Sequence, residues 1–224
     1  MLPIQPEEVP FEIPLNWSWC RLGAICEING GKRVPAGYSL LTKPTPYIYI
    51  RVSDMQNGTI IDTDLHYIDK EIYEQIKRYT ISKDDIYMTI VGATIGKCGL
   101  VPDRFHNVNL TENAVKITPV LVLRKLLYLL LKMPFAQDQF IEKTKKVGVE
   151  KMAIFRFKNS VLPLPPLAEQ ERIVAKLQKL MKFCDELETN IKQCITNADR
   201  LLQTALREAL EPKAEQPGVD NDGN

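Results

Sequence analysis

A run of unbroken heptads constrains this chain more than any other feature. Ile173, Leu177, Leu180, Cys184, Leu187, Ile191, Cys194, Ala198, Leu201 and Ala205 follow one another at alternating steps of four and three. That is the spacing of the d and a positions of a coiled coil. Val174, Met181, Ile195 and Leu202 each follow a d position and widen the apolar stripe beyond a minimal two-stranded seam. No Pro or Gly interrupts residues 167–211. About forty helical residues make a rod of roughly 60 Å. A rod of that length cannot bury its stripe against a small domain, and the sequence holds no second helix to match it. The stripe therefore requires a helix from another molecule.

The remaining length suits one globular domain. The chain has 224 residues, so the expected organisation is a domain over residues 1–160, a long helix over 161–211 and a disordered polar tail over 212–224. Residues 1–160 hold 21 Lys/Arg against 17 Asp/Glu, whereas residues 161–224 hold 8 against 11. A mildly basic domain and a mildly acidic helix are compatible with nucleic-acid binding without demanding it. The five cysteines, Cys20, Cys26, Cys98, Cys184 and Cys194, include no C-x-x-C pair. This pattern points to a reducing, cytoplasmic setting with neither a disulfide framework nor a zinc site. The N-terminus carries no signal-peptide pattern. The longest apolar run, Val120–Leu131, is broken by Arg124 and Lys125 and is too short to span a bilayer, so no membrane is expected as a partner.

Along the domain the patterns are mostly those of strands. Trp17 and Trp19 flank Ser18 in a strand anchored by aromatics. Residues 28–35, INGGKRVP, read as a loop carrying Lys32 and Arg33. The loop lacks the Gly spacing and the Ser/Thr of a phosphate-binding P-loop. Residues 46–52 alternate as a strand, and Asn57-Gly58 is a strong hairpin signal. Residues 69–78 have helical character, 83–85 a turn and 86–91 a buried strand. Gly92, Gly96 and Gly99 mark a tight hairpin or bulge, and residues 109–117 a further loop and strand. Residues 121–132 and 135–146 read as two helices separated by Pro134. Between Lys143 and Lys158 lie six basic residues and one acid, Glu150. A solvated face and a phosphate-contacting edge both fit this window. Pro163-Leu164-Pro165-Pro166 fits either a PxxP ligand or an extended lead into the helix. Glu169 and Glu171 then favour the helix N-terminus.

Motifs for catalysis are missing. Neither His66 nor His106 has a catalytic spacing, and there is no G-x-S-x-G, no H-E-x-x-H and no methyltransferase cofactor motif. No cofactor or metal is implied, and a catalytic role for this chain alone is not expected.

Several pieces in order resemble one family. They are PFEIPLNWSWCRLG, YIYIRVSDMQNGTI, ISKDDIYMTIVGATIGKCGLVP, NLTENAVKITP, the basic region around Gly148, and LPLPPLAEQERIV opening into the heptad helix. Together they resemble the specificity (S) subunits of type I restriction–modification enzymes. Each piece is weak, whereas the order and the PLPPLAEQ opening are specific. The resemblance implies an α+β chain, with a mixed or antiparallel β-rich target-recognition domain followed by one long coiled-coil helix. Members of that family usually carry two such domains and two helices that pair antiparallel. This sequence has one of each, so it is expected either to dimerise or to be part of a longer chain. Two-fold antiparallel pairing implies a palindromic, interrupted DNA site.

The implied function is recognition of half of a split site in double-stranded DNA. Methyltransferase (M) and restriction (R) subunits would make and break the bonds. The implied dimer seam is the heptad set above, through antiparallel long helices of a homodimer or of a second S half. Phosphate contacts are expected from Lys32, Arg33, Lys97, Lys145, Lys146 and Lys151, and base readout from Asn57, Thr94, Asn113 and Glu150. For each of these residues an exposed loop side chain is an equal reading. The rival function is a coiled-coil protein-interaction adaptor without DNA specificity.

Overall fold

The structure is a computed structural model that describes residues 3–145 and 153–210, with backbone alone for 142–145. The described residues fall into two units that meet between Val174 and Ala175. The first unit opens with β1 (Ser18–Arg21), the one-turn α1 (Leu22–Ile25), β2 (Cys26–Gly30) and β3 (Tyr47–Ile50). The hairpin β4 (Met55–Gln56) and β5 (Thr59–Ile60) follows, then β6 (His66–Ile68), α2 (Lys70–Ile76) and β7 (Thr80–Ile81). Next come β8 (Ile86–Thr89), β9 (Cys98–Leu100), β10 (Val108–Leu110) and β11 (Ala114–Pro119). The chain continues through α3 (Arg124–Lys132), α4 (Pro134–Lys145), α5 (Ile154–Lys158), β12 (Val161–Leu164) and the long α6 (Leu167–Leu210).

Two four-stranded sheets carry the first unit. One is fully antiparallel, in the order β2-β11-β8-β9. The other, β6-β3-β10-β7, is mixed, because β3 and β10 run parallel. This is the α+β, β-rich architecture expected, with the long helix following it. Strand β8 explains the continuous apolar run of its sequence. All four of its residues are buried, with Ile86 and Met88 in one cluster beside Leu126, Leu127 and Phe140. Tyr87 joins a second cluster with Ile50, Ile60 and Phe105 on the other side. A strand covered on both faces loses the polar alternation of a half-exposed one. Helix α3 covers the first cluster with Leu126, Leu127, Leu130 and Leu131, a one-sided spacing on its surface.

Local signals set several boundaries. Asp69 caps α2, accepting from the Ile72 amide at 2.8 Å. Asn57 and Gly58 both have positive φ, 52° and 73°, as the two-residue turn between β4 and β5 requires. Strand β1 pairs antiparallel with β12, from Ser18 opposite Leu164 to Arg21 opposite Val161. Arg21 is buried there, donating to both carboxylate oxygens of Glu8 and to the carbonyls of Pro3 and Asn159. The only buried residue of α6 is polar: Gln170 accepts from the Leu123 amide at 2.8 Å and donates to the Pro165 and Leu121 carbonyls.

Some expected boundaries move. Residues 28–30 belong to β2, so the loop begins only at Gly31, and Asn109 and Leu110 lie in β10. Residues 121–123 precede α3, and Pro134 starts α4 at its first turn, where a missing amide costs nothing. Helix α5 was not expected at all. The basic residues Lys146 and Lys151, Glu150 and Gly148, and the tail over 212–224, lie outside the described residues.

Candidate nucleic-acid interface

Sheet topology gathers three connections at one end of β2-β11-β8-β9. Gly30 at the end of β2 pairs with Val115, Ala114 at the start of β11 with Thr89, and Met88 near the end of β8 with Cys98 at the start of β9. The segments after β2, before β11 and between β8 and β9 therefore leave from the same end. Backbone bonds tie them together. The Gly31 amide donates to Ala114 and that of Lys32 to Leu110, at 3.0 and 2.9 Å. The Ile90 amide donates to Asn113 and that of Thr89 to Lys97, both at 2.9 Å. Gly31 must be glycine, since a Cβ there would run into the Leu110 and Thr111 carbonyl oxygens.

Five candidates share this end: Lys32, Arg33, Thr94, Lys97 and Asn113. Lys32 and Lys97 are exposed, and the Lys32 ammonium lies 5.9 Å from the Tyr79 ring centroid. The Arg33 side chain is 79% exposed, and its Nε donates to Glu112 Oε1 at 2.7 Å. Glu112 Oε2 accepts from the Thr111 hydroxyl at 3.0 Å. Burial pushes the Glu112 carboxyl up, but Arg33, its own backbone amide and the Thr111 hydroxyl outweigh this and hold it below the ordinary range. Thr94 sits in a short turn, with its hydroxyl donating to the Val91 carbonyl at 3.2 Å. The side-chain amide of Asn113 is bonded to no described residue.

An open cleft of about 490 Å³ adjoins this end, lined in part by Arg33, Tyr38, Tyr49, Arg51, Glu112 and Asn113. Arg51 is committed within the protein, donating to Asp54 at 2.8 Å, to the Asp64 carbonyl at 2.6 Å and to its carboxylate at 3.0 Å. Tyr49 donates to the Lys32 carbonyl at 2.9 Å, and burial pushes its hydroxyl up to about 12. Glu112 and the two tyrosines were not among the candidates. No periodicity singles them out, and their place at the cleft comes from pairing between distant strands.

The other candidates are not at this end. Asn57 occupies the β4–β5 turn, and the Gly58 carbonyl beside it accepts from Leu100, which pairs with Ile86 at the opposite end of β8 and β9. Lys145 is at the end of α4, with its side chain outside the described residues. Lys146, Glu150 and Lys151 are likewise outside them. Among the described residues, no group of three or more His, Cys, Asp or Glu is arranged to hold a metal ion.

In the first unit, Ile173 and Val174 pack against the cluster that α3 covers. In the second unit the helical stripe faces solvent. Leu180, Ile191 and Leu201 are 50%, 60% and 71% exposed. Cys184, Leu187, Cys194, Ala198 and Ala205 are exposed as well, and Leu177 is half-buried. Among the described residues, no helix is long and apolar enough to cross a membrane.

Residues 14–197 match the model of the type I restriction modification DNA specificity domain. The chain is 32% identical to the type I restriction enzyme EcoBI specificity subunit of Escherichia coli over 163 residues, 72% of this chain and 34% of that one. It is 28% identical to the EcoAI specificity subunit of Escherichia coli over 214 residues, 91% of this chain and 34% of that one. The chain thus spans about a third of the length of these curated relatives. In fold it is similar to the crystal structure of the HsdS subunit from Thermoanaerobacter tengcongensis. The TM-score is 0.67 at 22% identity, covering 94% of this chain and 54% of the other.

Proposed function

Because this chain belongs to the family of type I restriction–modification DNA specificity domains, we propose that it reads one half of a split site in double-stranded DNA. It makes and breaks no bond itself, and methyltransferase and restriction subunits dock with it to do so. In this reading residues 1–160 recognise DNA, and residues 161–211 form a spacer that pairs with a second helix. That partner helix comes from another copy or from a second half-subunit, running antiparallel. The setting is cytoplasmic.

The observation that carries the reading is the convergence of Lys32, Arg33, Thr94, Lys97 and Asn113 on one end of a sheet, next to an open cleft. Three connections, held together near the sheet end by backbone bonds, form a rim from which side chains can reach a groove. Charge assigns Lys32, Arg33, Lys97, Lys145, Lys146 and Lys151 to phosphates, and donor–acceptor character assigns Thr94, Asn113 and Glu150 to base edges. Asn57 fits less well, because its backbone is spent on the turn at the other end of β9. The exposed stripe on α6 supports the pairing, since a row of half-exposed Leu and Ile stays in water only at a cost of about 25 cal/mol per Å² of apolar surface.

Gel shifts of the full chain with its partner subunits, run across a salt series on a pool of interrupted duplexes, test the reading. Affinity is expected to fall linearly on a log–log plot, with a slope of about −0.9 per phosphate contacted, and to favour one interrupted motif. Binding that ignores both salt and sequence would overturn it and favour a protein-binding adaptor. Mapping of methylated adenines in a host carrying the complex would then identify the site.

A further inference from the structure

We infer that Arg33 reads a guanine in the major groove and that Glu112 is the positioning residue that aims it. This rests on the DNA-reading proposal above but changes the part Arg33 plays in it. Charge alone treats Arg33 as another phosphate contact beside Lys32 and Lys97. The geometry sets it apart. Its Nε is held by Glu112 at 2.7 Å, so the pair is close to neutral and adds little to the attraction of a phosphate backbone. A carboxylate at that distance also repels phosphate oxygens. The lysines carry no such partner among the described residues.

What the pair offers instead is orientation. A guanidinium has five N–H donors in a flat fork. Glu112 takes the one on Nε, and both Nη groups are bonded to no described residue, on a side chain 79% exposed. Two parallel donors pointing outward match the O6 and N7 acceptors of guanine, the commonest specific contact in the major groove. The support behind the fork is stiff. Glu112 is only 22% exposed, and its second oxygen is held by the Thr111 hydroxyl at 3.0 Å. Its carboxyl is kept ionised by these same contacts. The Gly31 and Lys32 amides bind the Ala114 and Leu110 carbonyls, which anchors the segment that carries Arg33 to both ends of the short connection that carries Glu112. With both carboxylate oxygens occupied, Glu112 is poorly placed to read a base itself.

Selection from randomised interrupted duplexes tests this, using the full chain with its partner subunits as wild type, Arg33→Lys and Glu112→Gln. The wild type is expected to enrich a motif containing a guanine whose replacement by 7-deazaguanine, which lacks N7, weakens binding about 10-fold or more. Arg33→Lys keeps the charge and loses the fork. A lone ammonium reaches O6 and N7 without the flat fork, so the preference at that position alone should weaken and the sensitivity to 7-deazaguanine should fall. Glu112→Gln should bind non-specific duplex more tightly, having shed a negative charge, while discriminating that guanine less well. A merely structural role for Glu112 would not produce both changes together. The inference is overturned if Arg33→Lys retains the full motif, or if it lowers affinity for all sequences equally. The 7-deazaguanine arm needs no mutant and so does not depend on a variant folding. If the wild type enriches no motif, the DNA-reading proposal itself fails and this one with it. If it enriches a motif that is insensitive to 7-deazaguanine at every guanine, only this inference fails.

Discussion

At the scale of single residues, buried polar side chains do much of the positioning. Gln170 satisfies one amide and two carbonyls from separate segments, which apolar packing could not do. Truncation to Ala leaves the Leu123 amide unpaired within the protein. Gln170→Ala should therefore destabilise the first unit by about 1–3 kcal/mol, measured as a lower denaturation midpoint in urea at an unchanged slope. An unchanged midpoint would mean that water replaces the side chain freely. Glu112 gives a prediction with a pH signature. Its carboxyl titrates lower in the folded chain than it would unfolded, so its contribution is present above the ordinary carboxylate range and is lost as pH falls through the folded value. The melting temperature of wild type should exceed that of Glu112→Gln at neutral pH, and the gap should shrink as pH falls below the ordinary carboxylate range and close below the folded value. A gap that persists in acid would point to packing rather than charge.

At the scale of elements, the clearest sequence signals were those that need only neighbours. The 3.5-residue repeat announces α6 because heptad spacing is a local property of the chain, and Asn57-Gly58 announces its hairpin because both residues accept positive φ. Helix α5 was invisible because five residues are too few to show a period. Residues 28–30 looked like loop because the Gly30-Gly31 pair masks a strand end that glycine is needed to close. The Arg33–Glu112 pair was out of reach for another reason: its members lie 79 positions apart and meet only through strand order. Cysteines spread over several elements provide a chemical check. Burial pushes the thiol of Cys26 up to about 12 and that of Cys98 up to about 11, whereas Cys184 and Cys194 are exposed on α6. Iodoacetamide at neutral pH should modify Cys184 and Cys194 in the free chain and leave Cys26 and Cys98 untouched until it unfolds. Mass spectrometry of tryptic peptides reads all four. Under the proposed pairing, Cys184 and Cys194 become protected as concentration rises. Labelling of both at the same rate at every concentration would show that the stripe stays open.

At the scale of the whole molecule, the proposal makes the helix a ruler, and a ruler can be cut. Helix α6 has 44 residues. At 1.5 Å per residue it is about 66 Å long, on the order of two turns of duplex at ~34 Å each. Deleting residues 191–197 removes one heptad and carries the step of four from Leu187 directly to Ala198, so the apolar seam keeps its phase. The deletion shortens each helix by roughly 10 Å, about three base pairs at ~3.4 Å per pair. In an antiparallel pair of such helices, the two DNA-reading domains should come closer by that distance. Selection with the shortened chain should therefore return the same half-site motif with a gap about three pairs smaller. Because three pairs also rotate the second half-site by about 100° around the duplex, binding should weaken as well as shift. A shift in the gap without a change in the half-site separates measuring from reading, which no effect on stability would mimic. If the motif and its gap both survive the deletion, something other than α6 sets the spacing, and the long apolar stripe serves the partner subunits alone.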